Sequence, residues 1–103
     1  MQDFVKAQGS LEALRAELDV IDRELALLFE KRMHLCGRIG LAKQAFGAEV
    51  LDSKREAEVK RSRSLHIQDL ALLPYWSELL DCLMKISKEY QWTLREDSLS
   101  QKK

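Results

Sequence analysis

Three cations interrupt or flank an apolar pattern in the first half of the chain. Leucine and isoleucine recur at steps of three and four residues from Leu11 to Leu28, and Arg32 occupies the next position of that stripe. Lys43 follows beside the same stripe, and Arg15 lies near its start. Because burying an arginine without a counter-ion is expensive, these positions require an anionic partner. Anion binding is therefore the first chemistry that the sequence suggests.

The counter-ion can come from the chain itself or from a ligand. Taken alone, Arg32 is well explained by an internal salt bridge to Glu56, Asp52 or another acid. However, two polar residues, Ser87 and Gln91, replace apolar ones on the last turns of the buried side of a later helix. Together with the three cations, these inward-facing groups indicate a polar site for a small polyanion.

The carboxylates before the second helix have two interpretations. Asp52 or Ser53 can be the N-cap, and Ser53 followed by Glu56 matches a capping box, in which the glutamate binds back to the helix start. A carboxylate at this position can equally bind a ligand.

Helical periodicity indicates three helices, one of them very long. No proline occurs in the first, which we expect at 11–46, and Gly47 suits its C-terminal cap. The second is short, charged and ends near Leu65, and the third begins around 72–74, where Pro74 suits a first turn, and runs to about Gln91. The predicted organisation is a lead-in, a domain and a tail, with the bounds 1–9, 10–91 and 92–103.

Glycine is rare in this chain, and two glycines interrupt the long helix. The whole chain has one proline and four glycines, which favours long helices with few turns. Gly37 and Gly40 each cost about 1 kcal/mol relative to alanine. They are either tolerated weak points or places where another backbone or a ligand comes close.

Composition excludes several classes of function. Acidic and basic residues balance at 17 each, so the basic excess typical of a nucleic-acid surface is missing. No apolar run approaches the roughly 20 residues that span a bilayer, and the first residues lack the layout of a secretory signal. Cys36 and Cys82 have no metal-type spacing and suit reduced thiols in a cytoplasmic protein. We expect no membrane or nucleic-acid partner.

The length of the first helix predicts a dimer. Thirty-six helical residues make a rod of about 54 Å, which two shorter helices of the same chain cannot cover. A second copy is the natural cover for its continuous apolar seam. Arg15 and Arg32 would lie about 25 Å apart on one helix, too far to hold one small molecule. In an antiparallel dimer, Arg15 of one subunit could instead meet Arg32 and Lys43 of the other.

The order and spacing of several short motifs match a known family over Leu11 to Gln91. The sequence resembles the all-helical chorismate mutases (AroQ class, type II). The matching pieces, in chain order, are Leu14-Arg15, Ile21-Asp22, Leu27-Leu28-x-x-x-Arg32, Ala42-Lys43, Val50-Leu51-Asp52, Arg55-Glu56 and Ser87-x-x-x-Gln91. The resemblance implies an all-α fold, an intertwined homodimer of three-helix chains with shared active sites, and the rearrangement of chorismate to prephenate in phenylalanine and tyrosine biosynthesis.

The resemblance also implies which residues carry the reaction. The rearrangement is pericyclic, so neither a metal nor a cofactor is expected. The two carboxylates of chorismate would be bound by Arg32 and by Arg15 from the partner subunit, because the planar fork of arginine can pair with a carboxylate bidentately. Lys43 and Gln91 would donate hydrogen bonds to the ether oxygen, which becomes more negative in the transition state. Arg32, Lys43 and Gln91 are thus the expected catalytic residues.

Four further positions complete the expected substrate site. Glu56 and the backbone at Asp52 would bind the ring hydroxyl, while Ser87 and Arg55 would complete the pocket. Two rival functions remain open at this stage. One is an isochorismate pyruvate lyase on the same scaffold, and the other is a non-catalytic helical dimerisation module, which would leave the buried polar residues unexplained. The chain can also be the mutase part of a larger fused enzyme.

Overall fold

A computed structural model describes residues 10–101, with side chains described through residue 97. The described part consists of helices and connections and contains no strand. Its helices are α1 (Leu11–Ala45), α2 (Ser53–Ser64) and α3 (Leu73–Gln101), and a 3-10 turn (Leu70–Leu72) precedes α3. The all-α prediction with one very long helix is confirmed. No helix in this part of the chain is long and apolar enough to span a membrane. The lead-in expected at 1–9 lies outside the described residues.

The end of α1 follows the predicted cap. Gly47 has a φ of +71°, a left-handed conformation that glycine adopts without a side-chain clash. Its N–H donates to the carbonyl of Gln44 at 3.1 Å, and the N–H of Ala48 donates to the carbonyl of Lys43 at 2.6 Å. These bonds satisfy carbonyls that the last turn of a helix leaves unpaired. The connection to α2 is therefore folded back onto the end of α1.

The start of α2 corrects the capping-box prediction. Asp52 is the N-cap, and its carboxylate accepts a hydrogen bond from the N–H of Arg55 at 3.0 Å. Glu56 instead forms an ion pair with Lys88 of α3. The N-cap lies one residue earlier than the Ser53–Glu56 pattern requires, because Asp52 offers a carboxylate acceptor at the first exposed amides.

The predicted end of α3 near Gln91 is wrong. The helix continues to Gln101, and the turn after Gln91 packs against α1. A Cβ built on Gly37 would lie 2.7 Å from Cδ1 of Leu94, so Leu94 lies almost directly on the α1 backbone. The apolar periodicity does fade after Gln91, but these contacts with α1 still order the following turn.

The chain divides into two compact units, Met1–Arg32 and Met33–Lys103. The described part of the first unit is the beginning of α1. Its apolar seam is between 44% and 60% exposed in the single chain, at Leu11, Leu14, Leu18, Ile21, Leu25 and Leu28. An apolar stripe of this kind usually marks an interaction surface.

The second unit packs the end of α1 together with α2 and α3. Its most buried apolar side chains, Val50 and Leu80, are each 2% exposed. Gly37 and Gly40 are buried against α3. Both glycines are sites of close approach, but the approaching groups are side chains of α3 and not the backbone or ligand that the sequence suggested.

We expect Gly40→Ala to lower the free energy of unfolding by about 1–2 kcal/mol, after the better helix propensity of alanine offsets part of the overpacking. The added methyl group would lie 2.6 Å from Cγ and 2.9 Å from Cβ of Gln91. Because the α3 backbone fixes that Cβ, the helices must separate. Urea unfolding measures the loss. Gly37→Ala is the comparison variant and should lose less stability, since its nearest atoms, Cδ1 of Leu94 at 2.7 Å and Cε2 of Tyr90 at 3.0 Å, lie at the far ends of side chains. Equal stability of Gly40→Ala and the parent chain would contradict this packing.

Candidate active site

Ser87 and Gln91 lie on the face of α3 that packs against α1. Each is only 6% exposed, which confirms the prediction that both point inward. Nε2 of Gln91 donates a hydrogen bond to the carbonyl of Cys36 at 2.7 Å. Oγ of Ser87 donates to the carbonyl of Leu83 at 2.6 Å and lies 4.0 Å from Sδ of Met33. Both polar side chains are therefore held in fixed positions.

The contact with Cys36 also defines the orientation of the Gln91 amide. A backbone carbonyl can only accept a hydrogen bond, so the nitrogen of the amide must face it. The NH₂ group has two donors, and this contact uses one of them. The second N–H is not used by this contact and is chemically able to donate to a ligand oxygen.

Lys43 connects the end of α1 to the α1–α2 connection. Its Nζ donates to the carbonyl of Val50 at 3.2 Å, and Val50 is itself buried. An ammonium group has three donors, so this bond orients the group and leaves donors for an anionic ligand. Lys43 lies three residues after Gly40, where α1 contacts Gln91.

Glu56 is held by a residue that the sequence analysis missed. Oε1 of Glu56 lies 2.9 Å from Nζ of Lys88, and the two side chains are 27% and 33% exposed, respectively. The pair joins α2 to α3. Lys88 follows Ser87 directly, but nothing in the sequence pattern links it to a carboxylate 32 positions earlier. The bond fixes one carboxylate oxygen and leaves the other able to accept a hydrogen bond.

Asp52 and Arg55 lie at the exposed start of α2. The carboxylate of Asp52 is engaged in capping, and the guanidinium of Arg55 pairs with Glu58 at 2.6 Å. Both members of that pair are about half exposed, at 51% and 54%, so the pair contributes little to stability. Among the described residues, the guanidinium of Arg55 forms no hydrogen bond or ion pair with another predicted site residue.

The predicted site residues divide between the two units. Arg15 and Arg32 belong to Met1–Arg32, where Arg15 is exposed and Arg32 is half-buried. The other six belong to Met33–Lys103, and they are Lys43, Asp52, Arg55, Glu56, Ser87 and Gln91. The second unit therefore contains two neutral donors, one ammonium, one guanidinium and two carboxylates from the expected set.

Comparisons with known proteins point to one family. Residues 14–92 match the family described as chorismate mutase type II. A T-protein of Haemophilus influenzae is 36% identical over 59 residues, which cover 57% of this chain and 16% of that protein. A T-protein of Enterobacter agglomerans is 32% identical over 81 residues, covering 79% and 21%, respectively. A 3-dehydroquinate dehydratase of Pyrobaculum aerophilum is 42% identical over 53 residues, covering 52% and 18%. No solved structure gives a significant match.

The relatives are much longer than this chain, which spans about a fifth of their length. The family match, in contrast, covers most of the chain, from Leu14, the second residue of the α1 seam, to one residue past Gln91. It includes every residue of the candidate site. The chain therefore belongs to the chorismate mutase type II family, a family of isomerases.

Proposed function

We propose that this chain is a cytoplasmic chorismate mutase that converts chorismate to prephenate in phenylalanine and tyrosine biosynthesis. Family membership over residues 14–92 carries the proposal. The burial of Ser87 and Gln91 supports it, because a helical dimerisation module has no need for polar side chains at the α1–α3 contact.

The proposed reaction is an intramolecular Claisen rearrangement. The ether C–O bond breaks while a new C–C bond forms within the same molecule, so no nucleophile is needed. The protein must hold a flexible dianion in a compact, chair-like shape and stabilise the negative charge that develops on the ether oxygen. Both tasks require fixed donors rather than reactive groups.

Lys43 and Gln91 fit the second task. Each is anchored by one hydrogen bond to a backbone carbonyl, at Val50 and Cys36 respectively, and each has further donors. We assign these remaining donors to the ether oxygen. Because the protein has already oriented both groups, no reorganisation is needed when charge develops in the transition state.

The ring hydroxyl is assigned to Glu56 and to the backbone at Asp52. The ion pair with Lys88 fixes the Glu56 carboxylate and keeps one oxygen in position to accept from a hydroxyl. Ser87 is assigned to the wall of the same pocket. Arg55 would have to leave Glu58 to support a substrate carboxylate, which is inexpensive because that ion pair is exposed.

The two substrate carboxylates are assigned to Arg32 and to Arg15 of a second copy. This part of the proposal requires a homodimer with shared active sites. The exposed leucine seam of α1 supports it, since six seam residues are 44–60% exposed in the single chain.

Incubating the purified chain with chorismate and identifying the product tests the proposed function. Loss of chorismate absorbance with formation of prephenate is expected. A parallel incubation with isochorismate tests the lyase alternative, for which pyruvate release is the readout. If the chain forms an intact dimer but turns over neither substrate, both enzymatic hypotheses are wrong and the non-catalytic dimerisation module is the remaining one.

We expect kcat to change by less than about threefold between pH 6 and 8, because Gln91 is an amide and donates its hydrogen bond without first gaining a proton. Gln91→Glu is the matched control. Its carboxyl must be protonated to donate, so kcat of the variant should fall as pH rises, up to about tenfold per unit. Rates measured across this range check both. A steep loss of parent activity from pH 6 to 8 would contradict the role of Gln91.

A further inference from the structure

Arg95 extends the α1–α3 contact beyond the matched family region. It lies one turn after Gln91, in the segment that the sequence assigns to a tail. Its Nη2 donates to the carbonyl of Ala48 at 2.7 Å, with a longer contact of 3.4 Å to the carbonyl of Gly40. The guanidinium carbon also lies 5.7 Å from the ring centroid of Trp92, within cation–π distance. Three contacts thus hold the guanidinium of Arg95 in place.

The segment that Arg95 contacts carries part of the proposed site. Ala48 lies two residues before Val50, whose carbonyl anchors Nζ of Lys43. The N–H of Ala48 donates to the carbonyl of Lys43 at 2.6 Å. The backbone N–H and the carbonyl of Ala48 therefore each have a hydrogen-bond partner. The same connection ends at Asp52, the N-cap of α2. Arg95 on α3 and Lys43 on α1 therefore both donate to backbone carbonyls of the α1–α2 connection, at Ala48 and Val50 respectively.

An arginine at this position lowers the stability of the fold relative to an apolar side chain. Within the described part of the chain, Nε of Arg95 is buried without a hydrogen-bond partner. Leaving a buried donor unpaired is destabilising, and a leucine or methionine would pack here without that penalty. What the arginine adds is a long, planar donor group that reaches the carbonyl of Ala48 from the next helix.

We propose that Arg95 is a positioning residue that fixes the α1–α2 connection, and through it the ammonium group of Lys43. Arg95 does not touch the substrate in this arrangement. The inference deepens the proposed function and rests on it only for its kinetic consequence, because the anchoring of the connection can be measured without substrate.

Amide hydrogen exchange in Arg95→Met tests the anchoring directly. The N–H groups of Gly47 and Ala48 should exchange about tenfold faster than in the parent chain, while amides around Leu80 in α3 keep their rates. Arg38→Met, which removes an exposed arginine from α1, is the control and should change neither set. Unchanged exchange at Gly47 and Ala48 in Arg95→Met overturns the proposal. If Arg95→Met fails to fold, Arg95→Gln takes its place, because it removes the guanidinium and shortens the side chain while keeping it polar. An equal rise in exchange throughout α3 overturns the proposal.

The kinetic arm separates positioning from simple packing. Arg95→Met should lose about tenfold in kcat with KM within about twofold, since Lys43 acts on charge that develops in the transition state. Arg95→Lys can still reach the Ala48 carbonyl and should recover part of the loss. A folded Arg95→Met with parental kcat overturns the kinetic role. If the parent chain itself shows no turnover, the proposed function fails, and the exchange rates alone decide whether Arg95 anchors the connection.

Discussion

Replacing Lys43 with methionine is expected to lower kcat for chorismate by about a hundredfold to a thousandfold and to leave KM nearly unchanged. Methionine keeps most of the apolar stem and removes only the ammonium group. Interactions that strengthen in the transition state affect kcat and kcat/KM equally, which is the pattern expected here. Steady-state rates with purified variant and parent, measured on the same batch of chorismate, provide the comparison.

The structure identifies a second effect of this substitution, which must be separated from the first. Nζ of Lys43 also anchors the carbonyl of Val50, so its removal can loosen the α1–α2 connection. The side chain of Val50 is 2% exposed and keeps its own packing. We therefore expect the melting temperature to change by only a few degrees, consistent with the loss of one hydrogen bond of about 1 kcal/mol.

Lys43→Gln is the control that separates charge from donation. Glutamine retains an N–H donor but not the positive charge, so it should recover part of the rate if donation to the ether oxygen matters. A Lys43→Met variant that keeps kcat within about threefold of the parent would show that the ammonium group is not part of the reaction.

The structure explains why sequence patterns predict some of this molecule well. The inward positions of Ser87 and Gln91 follow from helical periodicity, which depends only on residues three and four positions apart. The cap at Gly47 is equally local, because a glycine there adopts a left-handed conformation at little cost. Features set by one helix and its own neighbours are therefore readable from the chain.

Features set by contacts between helices were missed. The extension of α3 is accompanied by Leu94 packing on Gly37 and Arg95 binding Ala48, residues about 50 positions apart in sequence. The ion pair between Glu56 and Lys88 likewise joins two helices. The sequence periodicity of α3 does not predict which residues of α1, α2 or their connection these side chains contact.

Arg15→Ala and Arg32→Ala are each expected to lose at least about a hundredfold in kcat/KM, since each removes one of the two arginines proposed to bind a substrate carboxylate bidentately. Mixing the two inactive variants should then restore activity. In a dimer with shared sites, a mixed pair has one pocket that lacks both arginines and one that is complete. Half of the randomly exchanged dimers are mixed, so about a quarter of the parental activity is expected.

Subunit exchange is needed for this result, and mild denaturation followed by refolding of the mixture provides it. Each variant refolded alone is the control and should stay inactive. Mixing Arg32→Ala with Lys43→Met gives a second control. In the proposal both residues come from the same subunit, so a mixed dimer contains no complete site and should not recover. If Arg32→Ala recovers activity when mixed with Arg15→Ala but not when mixed with Lys43→Met, then Arg15 acts in the active site of the other subunit. Failure of the first mixture, despite demonstrated exchange, would show that Arg15 does not complete the partner's site, and that the leucine seam of α1 serves some other assembly.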